Sequence, residues 1–302
     1  MRALPKAGDV ADLLRLPSVL SVPGDVLLGA AASGRREPLL RVAGSSAASS
    51  CLYLAGMALN DYADRKIDAE ERPTRPIPSG RIRPRFALRL AIGLTAAGLG
   101  CAAASGGRRA LSVALPLATT VWVYDLAAKE TFLGPTTMAM ARFLDVFMGA
   151  GTLNSRRSLP AALIVGAHTF LITTVSRQEA RGGTPAVALG AVAGTAAVSA
   201  AAARFALRKS GTRRSDMLPN SVRCGVAIGL LGVHAASMGE AELAATREPS
   251  AANFQRVVGT GVLGLMPLEA GMLVALGSSV KAALLAAGWR FARRLAQRRS
   301  VT

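Results

Sequence analysis

The residues best suited to chemistry form one run, Asn60-Asp61-Tyr62-Ala63-Asp64-Arg65-Lys66-Ile67-Asp68, at the end of an apolar block. On a helix advancing roughly 100° per residue, Asn60, Asp64 and Asp68 fall within about 80° of one another, with Asp61 at about 100°. Such a face of oxygen-bearing side chains is self-repelling unless a divalent cation sits among them. Oxygen-only ligands with open positions suit Mg2+, which shares its shell with substrate phosphates, better than zinc. Arg72, Arg75 and Arg81 follow as partners for an anion. The blander reading is a solvated helix end whose acids are offset by Arg65 and Lys66. Acids at the edge of a membrane span are functional by default, which favours the metal reading.

The elements that must hold this run are apolar. The chain has 302 residues, 51% hydrophobic and only 18% charged, with a mean hydropathy of +0.36. A soluble domain of this size carries about a quarter charged residues. Apolar blocks run over residues 17–33, 39–59, 86–105, 111–128, 133–153, 159–175, 185–206, 222–238 and 257–276. These make about nine spans of bilayer length. Backbone polar groups in lipid must be bonded within their own segment, so the expected fold class is all-α, a polytopic helical bundle. Ala, Gly and Ser let such helices approach closely. No repeat or linker divides the chain, so residues 1–302 read as one domain. Residues 10–16 read as an amphipathic approach at the interface, and residues 278–302 as a basic amphipathic tail with Lys281, Arg290, Arg293, Arg294, Arg298 and Arg299. Asp9 and Asp12 interrupt what a cleavable signal peptide would keep apolar.

The net charge of +18 could suggest nucleic acid. Its arginines, however, fall in short clusters between apolar blocks, and aromatics make up only 4% of the chain, so nucleic acid is excluded as a partner. Cationic loops beside bilayer segments explain the charge. The connection holding Arg65, Lys66, Arg72, Arg75, Arg81, Arg83 and Arg85 is the most basic and is expected to face the cytoplasm. Loops around Arg35, Arg108, Arg156 and residues 208–214 fall on the opposite side. High Ala and Arg content fits a GC-rich bacterial genome and hence a bacterial inner membrane. Cys51, Cys101 and Cys224 sit in apolar stretches without a CxxC pair and read as core residues. Within the spans, Arg142 and Asp145 are spaced to pair with each other. His168 and His234 read as core hydrogen-bonding groups, and Asp25 and Glu269 as cavity-facing acids or helix-kink residues.

The run NDYADRKIDAEERPTRPIPSGRI resembles the first signature of the UbiA-type intramembrane prenyltransferases, NDxxDxxxD followed by RPxPSG. The resemblance implies nine transmembrane helices around a central cavity. It also implies transfer of a prenyl chain from its diphosphate to an acceptor, usually aromatic, with Mg2+ held by two acidic motifs. On it, Asp61, Asp64 and Asp68 are catalytic and, with Asn60, metal-binding, while Arg72 and Arg75 bind diphosphate. The family's second motif, DxxxD or DxxDxxxD, falls here at residues 173–183, TTVSRQEARGG, where Glu179 is the single remaining acid and Val175 takes the place of the earlier one. Glu179 is thus the implied second-wall metal ligand, and Arg177 or Arg181 could neutralise diphosphate in place of the missing carboxylate. In YDLAAK, Tyr124 and Asp125 lie on the implied acceptor side, and Lys129 near the diphosphate, with Asp125 spaced to pair with Lys129. YDLAAK, the segment ARFLD and SRQEARGG resemble the EboC-type branch. The weakened second motif leaves a second reading, a relative that binds or moves a prenylated lipid without catalysis.

Overall fold

A computed structural model describes residues 5–15, 19, 21–210 and 218–298, with backbone alone over 295–298. The expected boundaries at Leu16 and Pro17, the loop arginines Arg213 and Arg214, and Arg299 lie outside the described residues, and the Arg298 side chain is not described.

The described residues are helical throughout their regular structure. A short α1 (Ala7–Leu13) precedes α2 (Val22–Ser33), α3 (Leu39–Ala63), α4 (Arg65–Glu71), α5 (Pro84–Val123) and one π turn (Tyr124–Ala128). Then come α6 (Gly134–Ala150), α7 (Leu159–Ser176), α8 (Pro185–Ser210), α9 (Asn220–Arg247), α10 (Ala251–Ala275) and α11 (Ser279–Arg298). Helix α5 has 40 residues, about 60 Å of helix, twice what a bilayer core needs. It folds back at Gly107, whose φ of 58° and ψ of −144° suit a residue without a Cβ. The Trp122 indole N–H donates to Thr95 Oγ1 at 3.1 Å across the fold-back. Two apolar segments therefore occupy α5, as the blocks at 86–105 and 111–128 predict.

Six described helices, α5 with its π turn counted as one, are long and apolar enough to cross a membrane. The protein is an integral membrane protein. The apolar blocks at 17–33 and 133–153 correspond to α2 and α6, which have 12 and 17 residues, fewer than the sequence blocks suggest. These two pack against each other at minimal distance. A Cβ on Gly29 would lie 1.7 Å from the Val146 carbonyl oxygen, and one on Gly149 1.9 Å from that of Val26. Small residues thus replace side-chain bulk as the means of association.

Among the six span-length helices α10 is the most enclosed, buried continuously from Gly264 to Ala275. The tail helix α11 is amphipathic: Ala282, Leu285 and Ala292 are buried, whereas Val280, Leu284 and Phe291 are exposed.

Among the interior polar residues, Arg142 and Asp145 depart from expectation, whereas His168 and His234 are core hydrogen-bonding groups as expected. Arg142 Nη1 pairs with Asp25 Oδ2 at 2.7 Å, and Asp145 accepts from Ser49 Oγ at 2.7 Å, so Arg142 and Asp145 serve neighbouring helices rather than each other. With α2, α3 and α6 in contact, partners across helices can satisfy buried groups more directly than partners one turn away. Glu269 packs against Gly24, where a Cβ would meet its carboxyl oxygen at 1.9 Å. His168 donates through its Nε2–H to the Gly261 carbonyl at 3.0 Å and His234 through its Nδ1–H to that of Gly264 at 2.9 Å, and their rings meet edge-on.

Candidate functional site

The acidic run does not lie on one uninterrupted helix. Helix α3 ends at Ala63, Asp64 adopts φ −80° and ψ 0°, and α4 resumes at Arg65. The amides of Asp64 and Asp68 still donate four residues back, to the carbonyls of Asn60 and Asp64, at 2.9 and 2.8 Å. The helical register therefore nearly survives the break, and Asp61 and Asp68 are both buried, at 3% and 2% exposure.

Burying two carboxylates requires partners, and cations supply them. Arg75 Nη1 lies 2.7 Å from Asp68 Oδ2 and 3.5 Å from Asp61 Oδ1, so a single guanidinium nitrogen faces both acids. Arg75 reaches them because the loop after α4 folds back: the Arg75 amide donates to Arg72, and that of Ile82 to Pro76. Arg72 extends towards Glu179, 3.5 Å away, and approaches Asp68 at 4.0 Å. Lys129 forms an ion pair with Asp64.

The sequence reading overlooked Arg15. It follows α1, has φ 46°, and places Nη2 3.1 Å from Asp61 Oδ1. No spacing rule connects residues 46 apart; the only sequence hint is a lone basic residue within the amphipathic segment at 10–16. Arg81, read as an anion partner, instead fixes this N-terminal segment through Asp9 and Asp12, at 2.8 and 3.0 Å.

Asp125 does not pair with Lys129 as the four-residue spacing predicts. The π turn over Tyr124–Ala128 is closed by the Lys129 amide donating to the Tyr124 carbonyl at 3.0 Å, five residues back. That extra residue per turn rotates Lys129 away from the i,i+4 position. Lys129 turns to Asp64, and Asp125 accepts from Asn60 Nδ2 at 3.2 Å. Tyr124 opens this turn.

Glu179 follows α7, half-buried, with its backbone carbonyl accepting from Gln255 Nε2 at 3.3 Å. Burial pushes its carboxyl above the ordinary value, opposed first by Arg72 and then by Arg15 and Arg75. Arg177 points elsewhere: its guanidinium donates to the carbonyls of Thr131 and Glu130, at 2.7 and 3.5 Å, bracing the α5–α6 connection. The structure thus brings Asn60, Asp61, Asp64, Asp68, Arg72, Arg75, Asp125, Lys129 and Glu179 to one end of the bundle.

Among the described residues, no three carboxylate, His or Cys groups converge closely enough to cage a metal ion. Mg2+ does not require such a cage; it takes one or two carboxylates and completes its shell with water and substrate phosphate. Asp61 and Asp68 share one cationic position, now filled by Arg75, and every donor in the group is oxygen. The donor set therefore fits a Mg2+ ion that arrives with a phosphorylated ligand.

Residues 24–207 match the model of the UbiA prenyltransferase family. The chain is 42% identical over 76 residues to a digeranylgeranylglyceryl phosphate synthase of Methanopyrus kandleri, covering 25% of this chain and 28% of that protein. It is 34% identical over 145 residues to the synthase of the same name from Ignicoccus hospitalis, covering 47% and 45%. These matches span less than half the length of the curated relatives. A UbiA homolog from Aeropyrum pernix K1 superposes with a TM-score of 0.61 at 22% identity, over 85% of this chain and 97% of that one. A UbiA homolog from Archaeoglobus fulgidus bound to DMAPP and Mg2+ gives 0.59 at 16% identity, over 86% and 98%. At these identities the structures show a common fold.

Proposed function

The chain belongs to the UbiA prenyltransferase family, and from that premise we propose that it transfers a prenyl group from a prenyl diphosphate to an acceptor within the membrane. The observation that carries the proposal is the convergence of buried Asp61 and Asp68 on Arg75, with Arg15, Arg72 and Lys129 around them. Four cations and an oxygen-only acidic set at one end of an apolar bundle suit a polyanionic head on an apolar tail.

Asn60, Asp61, Asp64 and Asp68 would hold Mg2+, with Glu179 opposite them. Held there, the ion would supply Lewis-acid stabilisation of the departing diphosphate. Arg72, Arg75 and Lys129, now spent on carboxylates, would turn to the phosphate oxygens and stabilise the leaving charge. The allylic carbon–oxygen bond breaks with its electron pair on diphosphate, and an acceptor atom attacks the carbon. The small-residue helices exclude water from that carbon. Asp125, held by the Asn60 amide, would take the acceptor's proton.

The aromatic acceptor implied by the family resemblance gains no support from the comparisons. The relatives are named for digeranylgeranylglyceryl phosphate, and we propose a glyceryl phosphate hydroxyl as acceptor. The EboC-type likeness rests on the sequence segments alone. We further propose a single domain whose acidic end faces the cytoplasm, supported by the basic α3–α5 connection. Composition favours a bacterial source.

The test is Mg2+-dependent diphosphate release from geranyl, farnesyl and geranylgeranyl diphosphates by wild type and Asp64→Ala in nanodiscs. It is run with a geranylgeranylglyceryl phosphate or an aromatic acceptor. Release that needs Mg2+ and is lost in the variant supports the enzyme; faster release with the glyceryl phosphate supports the acceptor. Donor binding without release, with either acceptor, would instead favour a lipid-binding relative.

A further inference from the structure

At the end of the bundle opposite Asp61 lies a half-open cleft of about 540 Å³ that the reaction above does not use. Arg41 marks this end: it stands at the start of α3 and its Nε donates to the Ser105 carbonyl beside the α5 fold-back. The length of α3 puts the cleft roughly 35 Å from the acidic run.

Arg35 from the α2–α3 loop, Arg109 from the fold-back, and Arg156 and Arg157 from the α6–α7 connection line it. Among the described residues, no carboxylate forms an ion pair with any of these four. Glu37, the acid next along the chain from Arg35, is taken by Arg41 at 2.8 Å. Guanidinium groups gathered from three separate connections repel one another, and a ligand carrying more than one negative charge relieves that repulsion. Guanidinium forks match phosphate oxygens in geometry as well as charge.

The cleft adjoins a second one of about 300 Å³ that shares Asn154, Ser155 and Arg156 with it and adds Phe147, Leu153 and Leu159. Leu153 and Leu159 are 42% and 39% exposed. A cationic basin continuous with an apolar slot, at the edge of a membrane-spanning bundle, has the two-part chemistry of an amphiphile. The geometry points to a binding site for an anionic phospholipid, phosphate in the arginine cleft and chain along Phe147, Leu153 and Leu159. A phosphomonoester headgroup, with close to two charges, fits best.

Phosphatidic acid and phosphatidylcholine are the probes, titrated onto delipidated full-length protein and read by native mass spectrometry. Wild type is expected to hold phosphatidic acid at least tenfold more tightly than phosphatidylcholine. Arg35→Gln/Arg156→Gln should lose most of that preference, while the charge-matched tail variant Arg290→Gln/Arg293→Gln keeps it. Equal loss in both variants, or none in the first, would overturn the site and assign the preference to net charge. A photoreactive phosphatidic acid on wild type gives an answer independent of any variant: adducts are expected within residues 147–159, and adducts confined elsewhere overturn the proposal. Inorganic phosphate forms the last arm. If it displaces phosphatidic acid at equal concentration, the apolar slot contributes nothing and the ligand is a free phosphate rather than a lipid.

Discussion

The two ends of the bundle handle charge in opposite ways. At one, Asp61, Asp64, Asp68 and Glu179 each face an arginine or lysine, with Arg75 shared between two acids. At the other, Arg35, Arg109, Arg156 and Arg157 surround a cleft with no acid paired to them among the described residues. The difference is one of readiness. The matched end has its cations in place, so under the proposed function a diphosphate and its metal would enter by exchanging partners rather than by assembling charge. The unmatched end keeps a standing positive potential, which draws anions to the membrane edge.

Disrupting the matched end tests this contrast most directly. Asp68→Asn takes a buried acid from the shared Arg75 position, and Mg2+-dependent diphosphate release should fall by about 10²–10³-fold in single-turnover assays. A loss below tenfold would mean that Asp61 alone suffices. Lys129→Met frees Asp64 and removes one cation facing the leaving group. We expect a tens-fold drop in release, on the scale of about 2 kcal/mol, with Mg2+ affinity unchanged or higher. Arg15→Gln should act mainly on the donor, raising its KM several-fold. Because the Arg15 side chain is 34% exposed, thermal stability should fall by less than about 1 kcal/mol.

Glu179→Gln gives the smallest effect and a characteristic pH dependence. A carboxyl whose pKa is higher folded than unfolded favours folding while protonated, and loses that contribution as pH rises through the folded pKa. Burial raises Glu179 in this way. The glutamine variant should therefore match wild type in unfolding temperature at low pH and equal or exceed it at neutral pH, within about 1 kcal/mol. A variant that becomes less stable as pH rises would show that the Arg72 pair outweighs burial.

Much of the candidate site was legible because its acids are close in sequence. Asn60 to Asp68 stay together despite the break at Asp64, since local amide-to-carbonyl bonds keep the turn register. The same local logic failed at Asp125 and Lys129, where a π turn shifts the register by one residue. Arg177 was misplaced for a different reason: its distance from Glu179 in sequence says nothing about the carbonyls of Thr131 and Glu130 that it meets.

The sequence by itself determined the helices, the membrane environment and the acidic run. These follow from hydrogen bonds spanning four residues and from a hydrocarbon core that accepts only long apolar segments. Tertiary structure decided which charges meet. Arg15 reaches Asp61 across 46 residues, Ser49 reaches Asp145 across 96, and Arg142 chooses Asp25 over the acid one turn away. Those choices depend on how each helix is rotated and how closely glycines such as Gly29 and Gly149 let neighbours approach. Packing fixes both, and no spacing along the chain encodes them.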